Sequence, residues 1–126
     1  MCNIAQNHTQ MKIYISGRIS GQPNLNRGAF ADAVELITNA GHEAVNPHDV
    51  CRDIKDDNDR ELWRKCMRAC IAELVQCDAM ITLNGWEKSE GATLEVRIAH
   101  IIGMKVLPLT SLHMLNSQPF QPVFGC

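Results

Sequence analysis

The sequence carries almost no excess charge of either sign. Its 12 lysines and arginines stand against 14 aspartates and glutamates, giving a formal net charge of −2 at pH 7. Because proteins that bind nucleic acids attract the phosphate backbone with a basic face, this balance argues against a polynucleotide partner. A single bound phosphate group needs only one or two cations, so a nucleotide ligand stays compatible with the sequence.

Long hydrophobic runs are also missing. No stretch reaches the length of about 18 apolar residues that predicts a membrane-spanning helix. The first ten residues, MCNIAQNHTQ, lack the basic start and the apolar stretch of a secretory signal. We therefore expect a cytoplasmic protein that makes no membrane contact.

The six cysteines form no Cys-x-x-Cys pair. Cys66, Cys70 and Cys77 fall in segments that are predicted to be buried, so we expect reduced thiols. Cys66 and Cys70, four residues apart on a helix, could grip a metal ion together with a histidine. A second ligand pair is missing, however, and we expect neither a metal nor a cofactor.

The 126 residues suffice for one domain with its own hydrophobic core and are too few for two ordinary domains. We divide the chain into a polar extension (1–10), a single domain (11–109) and a C-terminal tail (110–126). The apolar residues of the tail are interrupted by Pro119 and Pro122 and follow neither helical nor strand spacing. The tail is interpreted either as mobile or as a strip that packs on a partner subunit.

Apolar periodicity predicts strands that alternate with helices. The predicted strands are Lys12–Ser16, His42–Val45, Ala79–Leu83 and Lys105–Leu109; the helices are Asn24–Ala40, one that starts at Asn58, and one from Ser89 to Gly103; 48–58 is a loop. Such alternation requires right-handed crossovers and a parallel sheet. We expect an α/β, flavodoxin-like or Rossmann-like sheet of order 2-1-3-4 with helices on both faces.

In an open parallel sheet the ligand lies outside the carboxyl ends of the strands, where the strand order reverses. Here the loops after the first and third strands meet at this edge. In the first loop, Gly17 and Gly21 allow backbone to approach a ligand and Arg18 offers a cation, or the loop is a plain turn with a solvated arginine. The second loop leads into a helix start, which favours anions, and its Trp86 could stack on a base or cover the core edge.

Glu95 is the most informative single residue. On a helical wheel, Thr93, Arg97 and His100 mark the polar side, whereas Glu95 falls near the middle of the apolar side. The apolar side is formed by Ala92, Val96, Ile98, Ala99 and Ile102. Since a carboxylate there loses its water unless it lines a cavity, we interpret Glu95 as pointing toward the ligand site. The alternative is a structural carboxylate bonded to an arginine or to backbone.

Several segments together carry a family resemblance. They are Lys12–Gly21, Gly41–Pro47, Trp63 with Cys66-Met67, Cys77–Ala79, and Gly85–Ala92 with Glu95. Over roughly residues 11–109 this combination resembles the nucleoside 2-deoxyribosyltransferase-like superfamily, and within it an uncharacterised family of short bacterial and phage proteins.

The resemblance implies an enzyme that cuts or exchanges the N-glycosidic bond of nucleosides or of nucleoside 5′-monophosphates. In the relatives a glutamate on the helix after the third strand attacks the anomeric carbon, and Glu95 matches that nucleophile by position. The first glycine loop would hold the sugar or the phosphate. The expected ligand-binding residues are Tyr14, Gly17, Arg18, Ile19, Gly21, Asn46, Pro47, Gly85, Trp86, Ser89 and Gly91.

Two departures from the family pattern keep a second interpretation open. Relatives often carry, about two turns before the Cys77-Asp78 pair, an aspartate that serves the departing base, whereas this chain has Cys70 there. A thiol is a poor substitute for a carboxylic acid. Many relatives also have proline at the position of Arg18, a change that could favour a phosphorylated ligand or mark a site reshaped for binding alone. The alternative is therefore a catalytically weak or inactive nucleotide-binding protein that sequesters or senses its ligand.

The resemblance also implies self-association, because relatives commonly complete their pockets with a neighbouring subunit. We expect a homo-oligomer, a dimer or larger. Association would bury apolar residues of the tail, namely Leu112, Met114, Phe120 or Phe124.

Overall fold

Four parallel strands form one sheet at the centre of the molecule. A computed structural model describes residues 9–116. The strands are β1 (Lys12–Ser16), β2 (Glu43–Val45), β3 (Ala79–Thr82) and β4 (Lys105–Pro108). All neighbouring strands are parallel and their order is β2-β1-β3-β4, which confirms the predicted Rossmann-like α/β sheet.

Helices connect the strands and begin where the sequence supplies a cap. They are α1 (Arg27–Asn39), α2 (Pro47–Val50), α3 (Asp59–Leu74), α4 (Glu90–Ile101) and α5 (His113–Asn116). The Asn58 side chain accepts a hydrogen bond from the backbone N–H of Glu61, and Ser89 accepts one from Ala92, so both predicted helix starts are confirmed. Among the described residues, no helix has the length and apolar character needed to cross a membrane.

Alternation along β1 divides the core between the two faces of the sheet. Ile13 and Ile15 belong to the cluster that includes Phe30, Ala33 and Ile37 of α1. Tyr14 belongs to the opposite cluster, which contains Cys70 and Leu74 of α3 and Val96 and Ala99 of α4. Because side chains of a strand alternate between faces, Ser16 shares the face of Tyr14 and therefore points toward α3 and α4.

Two short segments before longer helices depart from the expected structure. The predicted loop 48–58 begins inside α2, whose first residue is Pro47 and whose cap is Asn46, accepting from the N–H of His48 at 3.0 Å. A four-residue helix is too short to show apolar periodicity. The predicted helix start at Asn24 is wrong, since α1 begins at Arg27 and a 3₁₀ turn over Pro23–Asn26 precedes it.

The described part of the tail, residues 110–116, packs against the core. After β4 come a 3₁₀ turn, Leu109–Ser111, and α5. Leu112 and Leu115 are buried in the same cluster as α1, whereas Met114 is exposed. The expectation that Leu112 is left for a partner is therefore wrong, because the chain covers it itself. Phe120 and Phe124 lie outside the described residues.

Candidate functional site

A cleft of about 650 Å³ opens at the carboxyl edge of the sheet. Its walls come from the loop after β1, from α2 and the turn after it, from α3, and from the start of α4. This is the edge at which open parallel sheets bind ligands, since the strand order reverses between β1 and β3. A second, shallower groove runs along the outside of α4, and Glu95 does not line it.

Glu95 is fixed by two hydroxyl groups from β1. The Tyr14 hydroxyl donates to Oε2 of Glu95 at 2.8 Å, and the Ser16 hydroxyl donates to Oε1 at 2.7 Å. Tyr14 and Ser16 are two residues apart on one strand, so both reach the same face and bind one oxygen each. Glu95 is only 5% exposed and still lines the cleft, and the two hydrogen bonds give its carboxyl group a defined orientation there.

Burial changes the protonation of this pair. Desolvation raises the pKa of Glu95 to about 7, although the hydrogen bonds from Ser16 and Tyr14 act in the opposite direction. Burial, followed by the charge of Glu95, raises the pKa of Tyr14 well above its ordinary value of 10.0. Tyr14 therefore remains a hydrogen-bond donor near neutral pH, while Glu95 populates both its protonated and its ionised forms.

Three thiols line the cleft beside the carboxyl group. They belong to Cys51, which follows α2, and to Cys66 and Cys70 of α3. The sulfur atoms of Cys51 and Cys70 lie 3.5 Å apart, and Cys51 also points its thiol at the Cys66 carbonyl oxygen, 3.9 Å away. All four described cysteines, these three and Cys77, are free.

Positive charge enters the cleft from α1 and from the turn after α2. Arg27, the first residue of α1, and Arg52 line the cleft, together with His48. Burial and then the charge of Arg27 lower the pKa of His48 from its ordinary value of 6.5. Nε2 of His48 is buried and has no hydrogen-bond partner among the described residues. Arg27 and His48 were missed from the sequence because nothing local connects the start of α1 with α2.

The tryptophan of the cleft is Trp63 on α3. The Arg60 guanidinium lies over its ring, 4.3 Å from the centroid, and bonds both carboxylate oxygens of Glu90 at 3.1 Å. This arrangement joins the first turns of α3 and α4 at the rim. Gly91 lets the start of α4 pack closely against α3, since a Cβ atom there would lie 3.0 Å from the sulfur of Met67.

The predicted ligand-binding residues divide into three groups. Those that line the cleft, beside the predicted nucleophile Glu95, are Gly17, Ile19, Gly21, Pro47, Ser89 and Gly91. Tyr14 is fully buried and reaches the site through Glu95. Those that do not line it are Arg18, Asn46, Gly85 and Trp86, of which Asn46 caps α2 and Trp86 lines the outer groove of α4.

Arg18 is turned toward its own loop. Its carbonyl oxygen accepts from the Asn26 side chain at 2.8 Å. When the amide oxygen of Gln22 faces the guanidinium group of Arg18, it accepts hydrogen bonds from Nε and from one terminal nitrogen of Arg18, both at 3.3 Å. The guanidinium thus has a local acceptor, and Arg27 is the nearer candidate for a ligand anion.

The residues that the structure describes contain no metal-binding cluster. Over residues 9–116, no group of three histidine, cysteine, aspartate or glutamate side chains is arranged to hold a metal ion. Cys66 and Cys70 thus have no third ligand within that range.

The fold and the cleft define an α/β protein with a parallel sheet of order 2-1-3-4 and a ligand-sized site at its carboxyl edge. The chain belongs to the family described as Domain of unknown function (DUF4406), whose pattern matches residues 11–108. No curated protein matches the sequence significantly.

Proposed function

We propose that this protein is a nucleotide or nucleoside N-glycosidase, or a deoxyribosyltransferase-like enzyme, in which Glu95 is the nucleophile. The observation that carries the proposal is a buried carboxyl group, oriented by Tyr14 and Ser16, on the wall of a cleft at the carboxyl edge of the sheet. Structural carboxylates are usually paired with a cation. Within residues 9–116, the side-chain hydrogen bonds of Glu95 instead come from the neutral hydroxyl groups of Tyr14 and Ser16, which leaves its charge available to a ligand.

The proposed reaction is a double displacement at the anomeric carbon. Glu95 in its ionised form attacks that carbon, the N-glycosidic bond breaks, and its electron pair leaves with the base, which takes up a proton. Water, or a second base, then attacks the same carbon and releases Glu95 from the ester. Two displacements on one carbon retain its configuration. The hydrogen bonds from Tyr14 and Ser16 keep the carboxylate from rotating between the two steps.

A 5′-phosphate on the ligand is the second part of the proposal. Arg27 supplies a full positive charge on the cleft, and the amides of the first turn of α1 supply partial charge beside it. A charge-assisted bond to phosphate is worth roughly 1.5–3 kcal/mol, which corresponds to about tenfold to a hundredfold in affinity. Trp63 lines the same cleft, and the ring face that Arg60 does not cover is suited to stacking on a base.

A second candidate function is nucleotide binding without turnover. It is favoured by Cys70, which stands where the resemblance leads us to expect an aspartate and which contacts Cys51 instead of presenting a carboxylic acid. Asp59 also lines the cleft and is the other carboxylate on its walls. If neither Asp59 nor the Cys70 thiol protonates the departing base, cleavage is slow and the ligand is retained intact.

One assay separates the two functions. The purified chain is incubated with a panel of deoxynucleosides, ribonucleosides and their 5′-monophosphates, and the products are separated by chromatography. Catalytic release of free base supports the glycosidase, and addition of a second base distinguishes transfer from hydrolysis. Retention of intact nucleotide without release supports the binding protein. If no compound in the panel is either cleaved or retained, both functions are contradicted.

The phosphate is tested with two arginine variants. We expect the wild-type chain to prefer a monophosphate over its nucleoside, and Arg27→Ala to lose about tenfold to a hundredfold of that preference. Arg18→Ala is the matched control, because its guanidinium faces Gln22 outside the cleft. Loss of the preference in the Arg18 variant alone would restore Arg18 as the phosphate ligand. No preference in the wild type would contradict a phosphorylated ligand.

The proposal also includes a cytoplasmic location and self-association into at least a dimer. Apolar side chains remain exposed on α4, where Leu94 is 39% and Ile101 is 72% exposed. Both line the outer groove together with Trp86. One patch on one helix suits a two-fold contact between identical copies, in which each copy covers the patch of the other.

A further inference from the structure

Two of the cleft cysteines are close enough to react with each other. Cys51 lies at the end of α2 and Cys70 in the last turns of α3, and their sulfur atoms are 3.5 Å apart. A disulfide bond is about 2.05 Å long, so the two sulfur atoms need to approach by about 1.5 Å. Cys51 lies on a short helix and a turn, which can move more readily than the sheet.

The two thiols have different surroundings. Cys70 is only 4% exposed and Cys51 is half-buried, and both line the cleft, so a small solute that enters the cleft reaches the pair. The hydrogen bond between Cys51 and Cys70 lowers the pKa of Cys70, and the same bond together with burial raises the pKa of Cys51. The proton therefore stays on Cys51, and Cys70 has the larger thiolate fraction and is the sulfur that reacts first.

We propose that Cys51 and Cys70 form a peroxide-sensitive thiol pair, which closes reversibly to a disulfide in the wall of the cleft. This proposal goes beyond the proposed function and does not depend on the identity of the ligand. It rests on the distance between the sulfur atoms, on the position of both residues in the cleft, and on the absence of any existing disulfide among the described cysteines.

The chemistry needs a two-electron oxidant, and a hydroperoxide such as hydrogen peroxide supplies it. The Cys70 thiolate attacks one peroxide oxygen, the O–O bond breaks, and hydroxide leaves with a sulfenic acid formed on Cys70. The Cys51 sulfur then attacks the Cys70 sulfur, the S–O bond breaks, and a second hydroxide leaves, which takes up the Cys51 proton as water. Two thiols are oxidised to one disulfide, and one peroxide is reduced to two waters.

The test is peptide mapping of the full chain after exposure to hydrogen peroxide. Free thiols are blocked, the protein is digested without reductant, and the peptides are weighed by mass spectrometry. Cleavage after Arg68 and after Glu73 places Cys70 on a peptide that contains neither Cys66 nor Cys77. We expect a Cys51–Cys70 linked peptide, two hydrogen atoms lighter than the sum of the two peptides, which disappears after treatment with dithiothreitol.

Serine variants assign the roles. Cys51→Ser should stop at a sulfenic acid on Cys70, trapped as a dimedone adduct, and Cys70→Ser should give neither product at either position. Cys66→Ser is the matched control, because it removes a cleft thiol outside the pair and should leave the linked peptide unchanged. Mapping is repeated with Cys2→Ser and Cys126→Ser combined, which removes the cysteines outside the described residues.

Three results would overturn the proposal. In the first, Cys51 and Cys70 remain thiols in the folded wild-type chain while methionines become oxidised. In the second, Cys70 links to Cys66 or Cys77 instead. In the third, the Cys51–Cys70 linked peptide forms only after urea unfolds the chain, which would show that the folded geometry does not favour the disulfide bond. Circular dichroism of each sample establishes which of them are folded.

Discussion

At the scale of single residues, the burial of Glu95 has a consequence for stability. Its pKa of about 7 in the folded chain lies above its ordinary value of 4.5. The folded state therefore binds more protons than the unfolded chain between these two values. The contribution of Glu95 to stability is full below about pH 4.5 and is lost as the pH rises to about 7.

The corresponding prediction compares the wild type with Glu95→Gln, which cannot ionise. Between pH 5 and pH 8, the free energy of unfolding of the wild type should fall relative to that of the variant. A pKa shift of this size corresponds to roughly 3 kcal/mol at most. Urea unfolding at several pH values measures it, and the comparison cancels the titration of other groups. A difference that is independent of pH would contradict the raised pKa.

The sequence identified Glu95 but not the residues that hold it. The helical wheel placed a carboxylate among apolar residues, and it is buried as that pattern indicates. Its partners Tyr14 and Ser16 lie 81 and 79 positions away, and their contact depends on β1 lying beside β3 and under α4. Periodicity is a local signal and carries no information on such pairs.

At the scale of elements, Gly17 is required by close packing between two loops. A Cβ atom at Gly17 would lie 2.9 Å from the Cβ of Leu83, which cannot move without its backbone. Gly17→Ala should therefore lower the free energy of unfolding by about 1–3 kcal/mol. Equilibrium denaturation with urea measures the change.

Gly28 in α1 provides the matched control. A Cβ atom there meets nothing within 4 Å, and its backbone is helical. Gly28→Ala should leave stability unchanged or raise it by up to about 1 kcal/mol, because alanine has the higher helix propensity. Equal effects of the two substitutions would refute the packing explanation.

Elements with strong patterns were predicted well and strained ones were not. β1 has the predicted bounds, and α3 and α4 start after their predicted caps, Asn58 and Ser89. The turn before α1 has three consecutive residues with positive φ, among them Leu25 at 53°. Left-handed backbone costs about 1–2 kcal/mol per ordinary residue, so sequence preference alone argues against it. Tertiary contacts outweigh that preference here, and the Asn26 side chain contributes one by bonding the Arg18 carbonyl.

At the scale of the whole molecule, the outer face of α4 is the surface that we expect to pair with a second copy. Light scattering at micromolar concentration should give a dimer or larger for the wild type. Leu94→Glu and Ile101→Glu should shift it to a monomer, because each places a charge in an apolar contact. Leu36→Glu, on an exposed apolar position of α1, is the control and should leave the assembly intact.

A monomeric wild type at that concentration would contradict self-association. Dissociation caused equally by the Leu36 variant would contradict the choice of α4.

The strand order of the molecule followed from the sequence because alternating strands and helices leave few parallel topologies. The helical wheel was less accurate at the end of α4, because it assigned Ile102 to the buried side and the structure exposes it.

The most direct test of the central claim is base release by Glu95→Gln. The variant keeps the size of the side chain. Its amide oxygen can accept from one of the two hydroxyl groups and its NH2 group can donate to the oxygen of the other, so fold and ligand binding should persist. We predict that the wild type releases free base from a nucleotide and that the variant loses this activity by a factor on the order of 10³ or more while still binding the nucleotide. Release at the wild-type rate by the folded variant would contradict the assignment of Glu95 as the nucleophile.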